Sequence, residues 1–178
     1  MLLGAILRVG DRAGRIVEVE AYEGANDPAS HAATGPTRRN AVMFGAAARL
    51  YVYRIYGMHW CANVTSGAVG EPGAVLIRAI EPVDGTEQMW PARPKARTET
   101  DLGSGPGKLC AALGITGDHD GVDLRDSGSP VCLDRPTTKV SAVVRGPRIG
   151  ITKAVDYPWR FAEADNPHVS RPRNTLGP

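Results

Sequence analysis

The stretch Arg15-Ile-Val-Glu-Val-Glu-Ala-Tyr22 decides the fold, because apolar and polar residues alternate along it as they do in a half-buried β-strand. Successive side chains of a strand point to opposite faces of the sheet. The alternation predicts that one face of this strand packs in the core through Val17, Val19 and Ala21. The opposite face then carries groups capable of chemistry: Glu18, Glu20 and Tyr22.

Other runs rich in β-branched and aromatic residues extend the predicted sheet. Residues 50–55 and 58–65 flank Tyr56-Gly57, which predicts a β-hairpin whose two-residue turn uses the glycine for a positive φ angle. Residues 74–80 are almost continuously apolar, as in a buried central strand, although Arg78 lies among them. Shorter strands are predicted at 130–133, 139–144, 148–151 and, from a weaker pattern, 160–162.

Helices are few in this sequence. The clearest prediction is a helix over residues 105–113, with Ser104 as its side-chain cap and Pro106 in its first turn. A second helix is predicted over about 85–90, and residues 91–100 are predicted to form a surface loop. Because no strand-helix-strand alternation indicates a parallel sheet, we expect an α+β fold with a mainly antiparallel, curved β-sheet core and a protruding β-hairpin.

The composition is that of a folded domain, since 42% of the 178 residues are hydrophobic and 22% are charged. We expect a single domain over residues 1–165 and a C-terminal surface tail over 166–178, which is rich in proline and lacks apolar periodicity. No apolar run approaches the roughly 18 to 20 residues that cross a bilayer, and Met1-Leu-Leu-Gly4 is too short and uncharged for a signal sequence. Three cysteines without close pairing argue against a disulfide framework and suit a reducing cytosol.

Two motifs that suggest a bound nucleotide or ion are incomplete. Residues 103–108, Gly-Ser-Gly-Pro-Gly-Lys, resemble a phosphate loop, but Leu102 and Leu109 occupy positions where that motif requires glycine and Ser or Thr. Residues 118–123 contain three aspartates but lack the full ligand set and closing glutamate of an EF-hand. The histidines show no HExxH spacing, so we expect neither a metal ion nor a cofactor.

The net charge of +2 does not by itself indicate a protein that binds nucleic acid. Lysine supplies only four of the 21 basic residues, and an excess of arginine suits bidentate phosphate contacts but also follows from a high-GC coding bias. Both explanations stay open on composition alone. The start of the helix at 105–113 can hold a DNA phosphate through its amides, with Lys108 beside it, or can simply be capped.

Five features taken together indicate chemistry on nucleic acid. They are the pair Glu20 and Tyr22, a polar loop that reaches His31, the adjacent Arg38 and Arg39, the hairpin with Tyr51, Tyr53 and Tyr56, and Arg78 inside an apolar strand. Aromatic side chains can sandwich an extruded base, an aromatic residue at a hairpin tip can fill the gap that the base leaves, and arginines can hold phosphates. The structural alternative is a core of tyrosines in which Arg78 pairs with Glu18 or Glu81.

Seven motifs, in order along the chain from about Ile6 to Phe161, match those of one known family. They are Ile16-Val-Glu-Val-Glu-Ala-Tyr22, Arg39-Asn40 with Met43-Phe44, Leu50-Tyr-Val-Tyr-Arg-Ile-Tyr-Gly-Met58, Cys61-Ala-Asn63, Val75-Leu-Ile-Arg-Ala-Ile-Glu-Pro82, Ser104-Gly-Pro106 with Lys108-Leu109, and Arg145-Gly-Pro-Arg-Ile-Gly-Ile151. On these motifs the sequence resembles the alkyladenine (3-methyladenine) DNA glycosylases of the mammalian and bacterial type. The ordered set is far more specific than any one motif.

The resemblance implies a monofunctional base-excision enzyme that flips an alkylated or deaminated purine out of damaged double-stranded DNA and hydrolyses its N-glycosidic bond. Glu20 matches the family's water-activating general base, and Arg78 matches the arginine that holds the water and phosphate region. The positions that match residues contacting the flipped base are Tyr22, His31, Tyr53 and, at the purine edge, Asn63. Tyr56 matches the side chain that wedges into the duplex through the minor groove. Further DNA contacts are expected from Arg38, Arg39 and Lys108, and we expect a monomer without an obligate protein partner.

Three departures from the family pattern leave questions open. Family members usually carry a helix before the first strand, and the resemblance therefore implies that this helix is missing here. His59 and Trp60 replace residues that vary within the family, so the preference among 3-methyladenine, hypoxanthine and etheno adducts is not fixed by the sequence. A two-residue hairpin turn would place Tyr53 opposite Trp60 and leave Asn63 on the other face, so a β-bulge is needed if Tyr53 and Asn63 line one pocket.

Two other classes of protein share part of this pattern. A non-catalytic sensor of distorted DNA would keep Tyr56 and the arginines but would not need Glu20 facing a pocket. A nucleoside or RNA hydrolase would keep Glu20 but would not need the hairpin wedge. Release of free base from a duplex with one methylated purine, compared with the nucleoside and with RNA, separates the three classes.

Overall fold

Two long antiparallel strands form the centre of the fold. The strand predicted at 15–22 is longer than expected: it is β2, Arg12–Glu23, and it pairs with β5, Gly73–Asp84. The computed structural model describes residues 2–136 and 138–177, and the elements named below belong to those residues. The other strands are β1 (Ile6–Val9), β3 (Leu50–Ile55), β4 (His59–Ser66), β6 (Val131–Asp134), β7 (Val143–Gly146) and β8 (Arg160–Glu163).

The strands form one curved antiparallel sheet in the order β3-β4-β5-β2-β1-β6. One edge of β2 has two neighbours, because β1 pairs with residues 12–15 and β8 pairs with residues 18–20, and β7 extends the sheet beyond β8. The β3–β4 hairpin forms the opposite end of the sheet, and its tip residue Tyr56 is 82% exposed. The predicted α+β fold, with an antiparallel curved sheet and a protruding hairpin, is therefore confirmed.

The pairing of β2 with β5 contains three irregularities, and two of them compensate for each other. Ile16 pairs with Ile80 and Val19 pairs with Ile77, but between them an extra residue is present first on β2, at Val17, and then on β5, at Arg78. The simple alternation predicted for β2 is therefore wrong at Val17. Val19 joins the main core as expected, whereas Val17 packs in a separate small cluster with Ala79, Ala162 and Val169.

Three short α-helices in the described ranges pack against the sheet: α1 (Thr86–Ala92), α2 (Glu99–Gly103) and α3 (Pro106–Leu113). The helices predicted at 85–90 and 105–113 are confirmed as α1 and α3. A Cβ atom at Gly103 would lie 2.6 Å from the carbonyl oxygen of Ile80, so α2 can approach β5 this closely only with glycine there. None of these helices is long and apolar enough to span a membrane, and the same holds throughout the described residues.

Two details of the helix prediction are wrong. Ser104 does not cap α3, because Gly105 occupies the cap position; the Ser104 hydroxyl instead accepts a hydrogen bond from Lys108 Nζ at 3.4 Å. The predicted loop at 91–100 ends early, because Thr98 and Asp101 form a reciprocal capping box that starts α2.

The short strands beyond residue 130 were predicted with mixed success. The patterns at 130–133 and 160–162 correspond to β6 and β8, whereas the run at 139–144 only overlaps the start of β7. Residues 148–151 form no strand. Arg148 turns inward to an ion pair with Asp27, and the Ile149 N–H donates to the Glu20 carboxylate, so this segment bonds to side chains instead of to a neighbouring strand.

The predicted surface tail at 166–178 is wrong for its central residues. Val169 and Ser170 are buried, and the Ser170 N–H donates to Glu18 at 2.7 Å. Arg160 of β8, itself fully buried, donates to the carbonyl oxygen of Ser170 at 2.9 Å. This segment therefore covers polar groups of the sheet, and its last residue, Pro178, lies outside the described residues.

Candidate active site

A cavity of about 520 Å³ opens between the end of β2 at Tyr22, the first half of β5, the β3–β4 hairpin and two loops. The first loop contributes residues 28–31 and the second contributes 149–153. Seven of the ten residues that the sequence singled out line this cavity: Tyr22, His31, Arg39, Tyr53, Tyr56, Asn63 and Arg78. The structure thus brings together side chains that lie up to 56 positions apart in the sequence, from Tyr22 to Arg78.

Glu20 is fully buried directly behind the cavity wall. One of its carboxylate oxygens accepts a hydrogen bond from the Tyr22 hydroxyl at 2.9 Å. The other accepts from the Ile149 N–H at 2.8 Å and lies 3.2 Å from Nη1 of Arg78. Since Tyr22, Ile149 and Arg78 all line the cavity, the carboxylate lies one layer of residues behind the cavity and is held by three donors.

The surroundings of Glu20 set its charge. Burial raises the pKa of the Glu20 carboxyl above its ordinary value, although Arg78, the Ile149 N–H and the Tyr22 hydroxyl oppose this rise. Burial, reinforced by the negative charge of Glu20, also raises the pKa of Tyr22 well above that of a free tyrosine. Tyr22 therefore stays protonated and donates to Glu20. A carboxylate with a raised pKa is a better proton acceptor than an exposed one, as a general base requires.

Arg78 joins two buried carboxylates. Its Nε lies 3.2 Å from Glu18 and its Nη1 lies 3.2 Å from Glu20. Glu18 is held in turn by Arg160 at 2.6 Å and by Ser170. The predicted structural alternative is therefore correct in part, since Arg78 does pair with Glu18, and the same guanidinium also reaches Glu20 and the cavity.

Aromatic rings form one wall of the cavity. His31 packs edge-on against Tyr53 with the ring centroids 4.5 Å apart, and its Nδ1 lies 2.9 Å from the Tyr51 hydroxyl. Partial burial and then the charge of Arg39 lower the pKa of His31, so the ring is neutral near pH 7. Tyr51, which burial gives a pKa of about 12, was not singled out for the cavity, although it shares a strand face with Tyr53.

The hairpin register differs from the prediction. Tyr53 lies opposite Cys61, and Ile55 lies opposite His59, so the turn has three residues, 56–58, and not two. Tyr56 and Gly57 both have positive φ angles, of 52° and 68°. The longer turn places Tyr53 and Asn63 on the same face without a β-bulge, which removes the difficulty that a two-residue turn would create.

Of the three residues predicted to contact phosphates, Arg39 lines the cavity, and Arg38 and Lys108 do not. Arg39 packs over the Tyr53 ring at 5.3 Å and donates to the carbonyl oxygen of Arg54. Arg38 is exposed, and Lys108 is half-buried in the first turns of α3. The start of α3 lies beside the hairpin, because a Cβ atom on Gly107 would be 3.1 Å from Cβ of His59.

The aspartates at 118–123 have structural partners. Asp120 accepts a hydrogen bond from the Val52 N–H at 2.8 Å, and Asp123 pairs with Arg49 and Arg125. Among the residues that the structure describes, no three His, Cys, Asp or Glu side chains are grouped so as to hold a metal ion.

An antiparallel sheet that holds a buried carboxylate behind an aromatic cavity, next to an exposed hairpin tyrosine, is the arrangement of an enzyme that acts on an extruded base. The comparisons agree with this class. The family model "Methylpurine-DNA glycosylase (MPG)" matches residues 1–167. The chain therefore belongs to the methylpurine-DNA glycosylase family, which hydrolyses N-glycosidic bonds in DNA, and the resemblance found in the sequence is confirmed.

Individual relatives are about half identical to this chain. The chain is 49% identical over 180 residues to a Nocardia farcinica protein named "Putative 3-methyladenine DNA glycosylase", and the match covers 98% of this chain and 85% of that protein. Proteins of the same name from Nitrosospira multiformis and Agrobacterium fabrum are 50% and 51% identical. Those matches cover 96% of this chain in both cases, and 86% and 84% of the two relatives.

Sequence reasoning missed three groups near Glu20. The Ile149 N–H was missed because a backbone donor leaves no signal in the side-chain pattern. The Asp27–Arg148 and Glu18–Arg160 ion pairs join residues 121 and 142 positions apart, and charge patterning detects only neighbours. Arg148 does lie in a motif that carried the family resemblance, Arg145-Gly-Pro-Arg148, but no role was assigned to it.

Proposed function

We propose that this protein is a monofunctional glycosylase that flips an alkylated or deaminated purine of the 3-methyladenine type into the cavity and hydrolyses its N-glycosidic bond. The observation that carries the proposal is the position of Glu20, buried directly behind the aromatic cavity and bonded to three residues of its wall. A carboxylate in that position can accept a proton from a water molecule that attacks C1′ of the extruded nucleotide.

The reaction needs little more from the protein when the base is alkylated. Loss of the base passes through an oxocarbenium-like state, and most sugar hydrolases use a second carboxyl group to protonate the leaving group. An alkylated purine already carries positive charge and leaves readily. A single base, Glu20, is therefore sufficient for a cationic purine, whereas a neutral deaminated purine also takes up a proton from solvent or from a donor in the cavity as it leaves. Arg78 holds the Glu20 carboxylate and lines the cavity.

Recognition of the base is assigned to the cavity walls. Tyr22, His31 and Tyr53 present aromatic surface on which a purine can stack. Asn63 donates from Nδ2 to the carbonyl oxygen of Tyr51 at 3.1 Å, which fixes the plane of its amide. A fixed amide at the edge of the base can discriminate among purines by the hydrogen bonds that it permits.

Binding to the duplex is assigned to Tyr56 and three basic residues. Tyr56 at the hairpin tip fills the space that the flipped nucleotide leaves. Arg38, Arg39 and Lys108 contact phosphates on either side. The proposal includes a monomer that works in the bacterial cytosol, where Cys61, Cys110 and Cys132 remain free thiols.

The experiment that tests the proposal measures release of free base from a duplex with one 3-methyladenine or 7-methylguanine. The undamaged duplex, the methylated nucleoside and methylated RNA serve as comparisons. We expect release from the damaged duplex alone. Tight binding without release would indicate a sensor of distorted DNA, and equal release from the nucleoside would indicate a nucleoside hydrolase.

A further inference from the structure

A fully buried ion pair, to which the mechanism above assigns no role, joins the loop that carries His31 to the loop that carries Ile149. Arg148 donates from Nη2 to one oxygen of Asp27 at 2.9 Å and from Nη1 to the other oxygen at 2.5 Å, and both side chains have zero exposure. Nη1 also donates to the carbonyl oxygen of Ala21 on β2 at 3.0 Å. Such a bidentate pair fixes the direction of both groups more tightly than a single contact does.

Each partner controls one wall of the cavity. Asp27 organises the turn that leads to His31, because its carboxylate accepts from the Ala29 N–H at 3.0 Å and its carbonyl oxygen accepts from the Ser30 N–H at 2.8 Å. Arg148 directly precedes Ile149, whose N–H donates to Glu20. The ion pair therefore ties the loop that carries His31 to the loop that places a donor on Glu20.

The guanidinium of Arg148 is also stacked between two aromatic rings. Its central carbon lies 4.6 Å from the centroid of the Tyr22 ring and 5.0 Å from that of Trp159. Trp159 is supported by Tyr157, with ring centroids 4.7 Å apart. Since the Tyr22 hydroxyl donates to Glu20, Arg148 supports two of the three donors around that carboxylate.

The pair keeps its charges in spite of burial. Burial alone would raise the pKa of Asp27, but the hydrogen bonds from Arg148 hold it below the ordinary value of an aspartate. Burial alone would lower the pKa of Arg148, and the bonds to Asp27 outweigh that effect. Asp27 and Arg148 are therefore both charged at every pH at which Glu20 could act.

We propose that Asp27 and Arg148 are positioning residues for excision, which hold the Ile149 N–H and the Tyr22 hydroxyl on Glu20 and so fix the orientation of its carboxylate. This inference rests on the proposed role of Glu20 as general base. Buried ion pairs stabilise proteins no better than well-packed apolar groups do. A role in fixing geometry therefore accounts for this pair better than a role in stability does.

The test compares two variants of the pair with a control elsewhere in the sheet. Asp27→Asn keeps the size of the side chain but removes its charge, and Arg148→Lys keeps the charge but removes the planar fork and the stacking. Glu163→Gln breaks a less deeply buried ion pair, to Arg15 at 2.6 Å, whose members do not line the cavity. Melting temperatures of the parent and the three variants give the loss of stability for each.

For Asp27→Asn and Arg148→Lys we expect single-turnover excision to be slower by roughly tenfold to 100-fold, as for a misplaced catalytic group. Affinity for a duplex with an abasic analogue should change by less than about threefold, because neither substitution alters a residue that we propose to contact phosphate. Glu163→Gln should excise at the parental rate. The inference would be overturned if the parent and the two pair variants excised the base at equal rates. It would also be overturned if Glu163→Gln lost as much excision rate as the pair variants.

A second measurement does not depend on excision. Loosened Ile149 and Tyr22 donors no longer lower the pKa of Glu20, so a carbon-13 NMR titration should give Glu20 a higher pKa in Arg148→Lys, which keeps both charges of the ion pair, than in the parent. An unchanged Glu20 pKa would overturn the positioning role even in an inactive protein. If the parent protein releases no base but the Glu20 pKa still differs between variant and parent, the proposed glycosylase activity is wrong. The positioning of Glu20 by the ion pair is then still supported.

Discussion

Glu20 is the residue on which the chemistry depends, and its replacement gives the most direct test. We expect Glu20→Gln to lose single-turnover base release by roughly 100-fold or more, because a glutamine cannot accept the proton of the attacking water. Affinity for a lesion-bearing duplex should be retained, since Glu20 lies behind the cavity wall and not on it. Equal excision by variant and parent would remove Glu20 from the mechanism.

The raised pKa of Glu20 predicts the pH dependence of excision. The base must be ionised, so the rate should fall as the pH drops through the raised pKa of Glu20, above the value of about 4.3 that is ordinary for glutamate. The negative charge of Glu18 contributes to this rise. In Glu18→Gln, where that charge is absent, the acid limb of the rate profile should move to lower pH, provided that a thermal melt shows a folded variant. An acid limb at the same pH in both proteins would contradict this assignment.

Lys153 allows a test of whether the enzyme removes the base without also cleaving the DNA strand. It is exposed and lines the cavity, so among the described lining residues it is the one with an amine that could form a Schiff base. We expect water activated by Glu20 to do the chemistry, with no covalent adduct after borohydride treatment during excision. Lys153→Arg should excise at the parental rate. An adduct present in the parent and absent in Lys153→Arg would show lyase activity.

The hairpin is the element that meets the duplex in our proposal. Tyr56 is 82% exposed at its tip and packs little, so Tyr56→Ala should leave the melting temperature nearly unchanged. The variant should lose binding and excision on paired duplex more than on single-stranded DNA, because the ring recovers part of the few kcal/mol spent on extruding the base. Tyr56→Phe keeps the ring and should behave as the parent. A lower melting temperature with equal loss on every substrate would show that Tyr56 is structural.

Alternation along single strands predicted much of the site, and pairing between strands decided the rest. Glu20 and Tyr22 were placed on one face from their spacing alone, and the tyrosine-rich hairpin was recognised from its β-branched and aromatic residues. The bulges at Val17 and Arg78 could not be predicted, because they depend on how β2 and β5 pair. The three-residue turn was missed because a tyrosine at a φ of 52° departs from the usual preference for glycine.

The C-terminal segment was misjudged for a different reason. Its prolines and lack of periodicity are typical of a surface tail. In the structure its backbone supplies partners to buried charges, since the Ser170 N–H donates to Glu18 and the Ser170 carbonyl oxygen accepts from Arg160. Burial that serves to satisfy polar groups leaves no apolar pattern in the sequence, so composition alone could not reveal it.

Across the whole molecule, buried titratable groups determine how stability depends on pH. Arginine partners hold the pKa values of Asp27 and Glu163 below ordinary in spite of burial, so both add stability above about pH 4 that is lost as the pH falls through their folded values. Burial lowers the pKa values of His31 and His168, which adds stability above about pH 6.5 that is lost on acidification. Glu20 makes the opposite contribution: because its pKa is raised in the folded protein, its contribution to stability increases as the pH falls.

These four groups outnumber the two carboxyls whose pKa burial raises, Glu20 and Asp120, so the free energy of unfolding in urea should fall from pH 7 to pH 3. Glu163→Gln isolates one contribution. At pH 7 the variant should be less stable than the parent by about 1 to 3 kcal/mol, the cost of losing one of the two carboxylates that Nη2 of Arg15 binds, while Glu81 remains its charged partner at 2.5 Å. The difference should shrink as the pH falls below about 4.3, where the carboxyl of the unfolded parent also takes up a proton. A difference that stays constant from pH 7 to pH 3 would show that Glu163 stabilises the sheet by packing and not through its charge.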